Sequence, residues 1–236
     1  MKIALCLSGL PRFSMFCYPY IYDALMNNEY NVDVYVHAWK TCRAIYLYKP
    51  KKILIENDDY LIFNIKKEIG VISNNDMKIS VNNNTNTLKM FYSIKKCFDL
   101  IEDEYDFVIR CRFDLIIQEK FILKNIIDKL INDNYDIYIP THIFNYGSMG
   151  LNDQIAIGKF EKMKIYSNMY SNLNNVLNKS TLFRPENLLE TYIMDNKINV
   201  MTEPRIDFKI VRSINPEFNR ESFKDFQDSK NYFLNL

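Results

Sequence analysis

Short apolar runs rich in β-formers alternate with stretches of helical periodicity over the first 140 residues, and that order leaves few architectures open. The run from Lys2 to Ser8 ends at Gly9 and Pro11, which marks a first strand closing in a turn. Phe13, Phe16, Cys17, Tyr20, Ala24 and Leu25 then recur at helical spacing, with Pro19 inside the pattern as a kink or a delayed start. "VDVYVHAW" (32–39) and "KKILIE" (51–56) are two further strands. Residues 57–86 are polar and irregular, and "NNNTNT" (82–87) supplies a helix N-cap. Met90, Phe91, Ile94, Cys97, Phe98 and Ile101 predict an amphipathic helix. "YDFVIRCRFDLII" (105–117) follows as a fourth strand. Strands alternating with helices in this way predict an α/β fold with a mixed, mostly parallel central sheet flanked by helices.

The remaining chain is less regular. Ile122, Ile126, Ile127, Leu130 and Ile131 predict a helix, "DIYIP" (136–140) a strand, and "NDQIAIG" (152–158) an apolar segment after a loop holding His142, Gly147 and Gly150. Met163, Tyr166, Tyr170, Leu173 and Leu177 mark one helix, and "RPENLLETYIMDN" a shorter one with Pro185 in its first turn. "INVMT" and "DFKIVRS" are late strands, for which some antiparallel pairing is expected. There is no repeat and no Pro/Gly/Ser linker, so residues 1–236 are read as a single domain.

Composition narrows the function. Lysine plus arginine number 30 against 29 acidic residues, a net charge of +1. Nucleic-acid binders normally carry a basic excess, so that class is set aside, along with nucleic-acid partners. Five cysteines, at 6, 17, 42, 97 and 111, show no zinc-ligand spacing, which suggests reduced thiols. The first apolar run, Ile3 to Leu7, is too short for a signal peptide, and nothing later approaches a transmembrane segment. The expectation is a soluble, cytoplasmic protein.

The fourth strand carries an anomaly. Arg110, Arg112 and Asp114 alternate, so they share one strand face at the end of an otherwise apolar run. A structural ion-pair cluster at the sheet rim is the plain explanation. The functional one is a diphosphate site, because ligands of open α/β sheets bind beyond the carboxyl ends of the strands. There, arginines pair with phosphate oxygens and an aspartate holds Mg²⁺ or Mn²⁺. The turn "SGLPR" (8–12) adds Ser8, Gly9 and Arg12 directly after the first strand. It matches neither the dinucleotide fingerprint nor a phosphate loop, so nicotinamide enzymes and P-loop proteins are discounted.

Taken in order, "IALCLSGLPR", "VDVYVHAW", "MFYSIKKC...YDFVIRCRFDLII", "IYIP" and "GLNDQIAIG" resemble a group of small nucleotide-sugar glycosyltransferases from large DNA viruses and bacterial surface-polysaccharide clusters. The resemblance covers about residues 1–195 and rests on the ordered set. It implies a Rossmann-like GT-A domain, with a nucleotide-binding half of about 1–117 and an acceptor half of about 118–236. It also implies hexosyl or deoxyhexosyl transfer from a nucleoside-diphosphate sugar, a UDP-sugar, to a hydroxyl of a glycan acceptor, assisted by Mn²⁺ or Mg²⁺. In that fold the metal ligand is usually Asp-x-Asp. Here "RCRFD" stands in its place, with Arg112 where the first aspartate would be and Asp114 as the surviving carboxylate. A nucleotidyltransferase acting on sugar phosphates, or a non-catalytic carbohydrate- or partner-binding module, remains open as an alternative.

Beside the resemblance, individual residues take expected roles. Asp153 is the candidate catalytic base, against an ordinary capping or Asx-turn aspartate. Ser8, Gly9, Arg12, His37, Tyr92, Lys95, Arg110 and Arg112 are the candidate donor-binding set; packing or solvation is the alternative for His37, Tyr92 and Lys95. Asp114 and His142 are the candidate metal ligands. Glu186 and Glu190 share a helix face and are alternative bases, with a solvated face the plainer reading. Arg205 and Arg212 can close over a diphosphate, though solvated charges are the simpler account. Cys111 lies between two arginines, which favour a thiolate, but it reads as a small buried residue on the other strand face.

Overall fold

Alternation along β1 (Lys2–Gly9) sets up the whole molecule, which is a computed structural model describing residues 1–57, 85–117, 122–140, 150–180, 182–203 and 208–212. Ile3, Leu5 and Leu7 point to one face of the sheet, and Ala4 and Cys6 to the other, and all five are buried. A strand buried on both faces belongs at the middle of a covered sheet. β1 accordingly pairs in parallel with β2 (Asn31–Ala38) on one side and with β4 (Phe107–Cys111) on the other.

The main sheet has seven strands among the described residues, in the order β3-β2-β1-β4-β7-β6-β8. β3 (Lys52–Ile55), β7 (Ile155–Lys159), β6 (Ile137–Tyr138) and β8 (Val200–Met201) complete it. Four pairings are parallel, and β7 runs antiparallel to both β4 and β6. This is the expected α/β class, including the antiparallel pairing late in the chain. The chain winds outward from β1 to β2 and β3, then returns to β4 on the other flank. That reversal leaves a crevice beyond the carboxyl ends of β1 and β4.

Helices cover both faces. α1 (Ser14–Leu25) buries Cys17, Tyr18, Ile21 and Leu25 on the Ile3/Leu5/Leu7 face, together with α3 (Leu123–Asn132) and a 3-10 helix at Arg43–Tyr48. α2 (Thr85–Phe98) buries Leu88, Phe91, Ile94 and Cys97 on the Ala4/Cys6 face. α4 (Phe160–Ser167), α5 (Leu173–Lys179) and α6 (Pro185–Asp195) pack around it there. α1 starts at Ser14 and runs through Pro19, so the proline does not delay its start.

Two expected elements are broken. The helix expected across Met163 to Leu177 is α4, a 3-10 segment at Asn168–Asn172, and then α5. Each piece can thereby turn its own apolar residues, Met163 and Tyr166 or Leu173, Val176 and Leu177, onto the core. The strand expected across 105–117 divides into β4 and β5 (Leu115–Ile117). β5 leaves the main sheet and pairs antiparallel with β9 (Phe208–Ile210). The break falls on Arg112, Phe113 and Asp114, where the Arg112 and Asp114 side chains pair with each other just beyond β4. Most of the polar stretch read as irregular at 57–86 lies outside the described residues.

Candidate active site

The crevice at the reversal is a cavity of about 440 Å³. Ser8, Gly9, Arg12, Arg110, Arg112, Asp114 and Asp153 all line it, along with Glu186 and Arg212. Residues far apart in sequence meet here because β1 and β4 end side by side, the loop before β7 passes in front of them, and β9 brings Arg212 back. The Val211 N–H donates to the Asp114 carbonyl at 2.9 Å, which fixes that last segment.

Arg110 is the side chain that the core would not choose. It is 2% exposed in the middle of the sheet, level with Cys6 on β1 and Ala156 on β7. Those small neighbours leave room for its guanidinium. One Nη donates to the Asp153 carbonyl, and Nε has no partner among the described residues. A buried, half-satisfied guanidinium is costly unless a ligand completes it. Ser8, on the same sheet face, presents a second buried polar atom without a partner among the described residues, its Oγ. The charged alternation in the sequence is therefore real: residues 110, 112 and 114 all turn to the cavity.

Asp114 is 1% exposed, and both of its carboxylate oxygens face guanidinium groups. Arg112 grips it bidentately, Nε to Oδ1 at 2.7 Å and Nη2 to Oδ2 at 2.9 Å. Arg12 adds a third approach at 3.6 Å, from a side chain that is half exposed. Arg12 is placed by a tight turn: Gly9 sits at φ 118°, Phe13 takes the left-handed conformation at φ 52°, and the Ser14 hydroxyl donates to the Pro11 carbonyl at 2.9 Å. No described atom lies within 4 Å of where a Cβ on Gly9 would stand, so the backbone conformation, more than crowding, selects glycine there.

Asp153 is 7% exposed, and its carboxylate makes no hydrogen bond or ion pair with a described residue. Its charge is felt by Arg112 and by Tyr166, a buried phenol on α4 pushed up to about 12, first by burial and then by Asp153, against the opposing pull of Arg110. Asp153 is thus a carboxylate held near cations but not tied to one. The Cys111 thiol lies on the other strand face, 0% exposed, and burial pushes it up to about 12 despite the neighbouring arginines. All five cysteines are free thiols.

Three of the expected donor-binding residues lie behind or away from the cavity. His37 is 0% exposed; Ser93 Oγ contacts its Nδ1 at 2.6 Å and Glu56 contacts Nε2 at 2.8 Å. It meets Trp39 edge-on, with ring centroids 4.9 Å apart, and Tyr92 stacks on the same indole at 5.6 Å. Trp39, not singled out from the sequence as a site residue, is the member of this cluster that reaches the cavity wall. Lys95 binds Asp99 one helical turn on and faces a separate groove of about 570 Å³ at the far end of α2. Among the residues considered second, Glu186 and Arg212 reach the cavity and Glu190 does not line it. Asn86, Thr87 and Lys89, in the first turns of α2, were also missed; only their place at a helix N-terminus could have flagged them. His142 and Arg205 lie outside the described residues.

Among the described residues the expected divalent cation finds few donors. Among the described residues no group of three or more His, Cys, Asp or Glu side chains converges. Asp114 offers no oxygen that is not already facing an arginine.

No family model matches the sequence, and no curated protein matches it. Among solved structures, the apo form of mouse xyloside xylosyltransferase 1 is similar at 9% identity and a TM-score of 0.46, over 96% of this chain and 91% of that one. No helix among the described residues is long and apolar enough to cross a membrane.

Proposed function

We propose that this protein is a glycosyltransferase of the GT-A type, moving a sugar from a nucleoside-diphosphate donor, a UDP-sugar, to a hydroxyl of a glycan acceptor. The observation that carries this reading is the convergence in one cavity at the sheet reversal of Arg12, Arg110, Arg112 and Asp153, whose carboxylate makes no ion pair among the described residues. Its volume suits a small-molecule ligand. Its five cationic lining side chains, Arg12, Lys89, Arg110, Arg112 and Arg212, outnumber the three carboxylates of Asp114, Asp153 and Glu186, which favours an anionic ligand.

In this reading Ser8 and Gly9 form the floor under the nucleotide and Trp39 part of its wall. The guanidinium groups receive the diphosphate. As the bond between the anomeric carbon and the phosphate oxygen breaks, its electron pair stays on the diphosphate, and pre-placed cations stabilise the growing charge. The acceptor oxygen bonds to the anomeric carbon and yields its proton to Asp153, the course of an inverting transfer. The test is calorimetric titration with UDP, with GDP as the control, followed by a panel of UDP-sugars assayed for transfer and hydrolysis. UDP binding in the micromolar range and turnover of one UDP-sugar are expected. Absence of binding by any nucleoside diphosphate would overturn the proposal and leave the arginines as a structural cluster.

A further inference from the structure

We infer that the cavity grips its nucleoside diphosphate through guanidinium groups rather than through a divalent cation, and that Asp114 is the anchor that aims Arg12 and Arg112 at it. This rests on the function proposed above and departs from the metal assistance that the sequence led us to expect.

Three independent observations carry it. First, Asp114 is engaged as an arginine anchor. Its fork-to-fork pairing with Arg112, at 2.7 and 2.9 Å, engages both carboxylate oxygens, and Arg12 approaches one of them at 3.6 Å, so a cation there would have to share its oxygens with a buried pair. A divalent ion taking that place would also stand beside two guanidinium groups and be repelled by both. Second, the other lining carboxylates do not supplement Asp114. Asp153 and Glu186 come from different elements and share no bond with it, and no three metal-ligating side chains converge among the described residues. Third, the cavity already holds the positive charge that a metal would supply. Arg110 is 2% exposed, bound to a carbonyl rather than to a carboxylate, and its Nε has no partner among the described residues. The first turns of α2 and α6 add their N-terminal ends to the wall through Thr87 and Pro185. Planar guanidinium forks match phosphate oxygens two at a time, and they keep their charge at every working pH. Asp114 acts through Arg112 and Arg12, and is a positioning residue.

The decisive experiment uses the unaltered full-length chain. UDP is titrated calorimetrically into protein stripped with EDTA, and again with Mn²⁺ at millimolar concentration; GDP is titrated in both buffers. The expected result is a UDP Kd that differs by less than about threefold between the two. A larger gain with Mn²⁺, or binding only in its presence, overturns this inference while leaving the glycosyltransferase reading intact. Binding of neither nucleotide in either buffer overturns both together. Metal-independent binding of GDP alone upholds the guanidinium grip and corrects only the base. A second measurement addresses Asp114. In EDTA, Arg112→Ala is expected to weaken UDP at least tenfold. The double variant with Asp114→Asn should fall well short of the product of the two single losses, because both changes remove one interaction. Fully multiplicative losses, with unfolding midpoints unchanged, would overturn the positioning role.

Discussion

Asp153 and Asp114 sit in the same cavity with opposite neighbourhoods, and their expected roles diverge accordingly. Asp114 is spent on two arginines. Asp153 has its backbone carbonyl tied to Arg110 and its carboxylate untied among the described residues, which suits proton acceptance from an acceptor hydroxyl. Asp153→Asn should leave UDP affinity within about twofold and lower transfer by roughly 10²–10⁴-fold, the usual span for loss of a general base. Calorimetry and a transfer assay on the same preparation separate the two, and normal turnover would remove Asp153 from that role. His37 makes a different prediction. Burial holds its pKa below the usual 6.5, against the opposing pull of Glu56. A lowered folded pKa means that the unfolded chain takes the proton first. The stability it contributes is complete above pH 6.5 and is lost as pH falls from there through the folded value. The unfolding temperature should therefore drop between pH 7 and 5, and His37→Gln should drop less steeply over the same range. Parallel pH profiles for the two proteins would show that His37 does not titrate on unfolding.

At the scale of elements, the site depends on the loop before β7 holding α6 in place. Gly150 sits at φ 142°, and a Cβ there would lie 2.7 Å from Glu186 Cβ and 2.8 Å from the Glu186 carbonyl carbon. The next residue, Leu151, donates its N–H to the Glu186 carbonyl at 3.1 Å. Only glycine allows this contact between a loop and the first turn of a helix. Gly150→Ala should cost about 2–4 kcal/mol, from a strained backbone angle plus an overpacked contact with backbone atoms that cannot yield. A urea titration measures this as a lower midpoint at unchanged slope. A change within experimental error would mean that α6 shifts freely, and that the wall of the cavity is softer than it looks. The strands and helices around this loop were largely legible in the sequence, because the apolar run of β1, closed by a turn, and the helical spacing of α2 are local signals. The break after Cys111 was not. Phe113 and Leu115 continue the apolar pattern across it, and only the partner strand β9, more than 90 residues away, shows where β5 goes. The division of α4 and α5 was hidden for a similar reason, since an unbroken helical spacing does not reveal a 3-10 turn within it.

For the whole molecule, a net charge of +1 means that no broad field draws an anion in, so affinity for a diphosphate has to come from charges gathered at one place. The sequence showed the strand-borne part of that gathering, since Arg110, Arg112 and Asp114 are neighbours in the chain. It offered an ion pair among those three as the plain explanation, but it could not show that Arg12 would join Asp114, nor that Trp39 would stand at the wall while His37 stayed behind it. Those outcomes are set by the distance between chain segments that only folding brings together. Local charge on a neutral background has a measurable signature. Arg12 and Arg112 lie at the mouth with partly exposed side chains, so salt screens them, and the Debye length falls from about 10 Å at 0.1 M to about 3 Å at 1 M. Raising KCl from about 50 mM to about 500 mM should weaken UDP roughly five- to tenfold and UMP less, and leave uridine nearly unchanged. The unfolding temperature should hardly move over the same range, because the core that sets it is apolar and buried on both faces of the sheet. Equal salt responses for UDP and uridine would mean that the phosphates do not meet the arginines, and that the cavity recognises its ligand by the nucleoside alone.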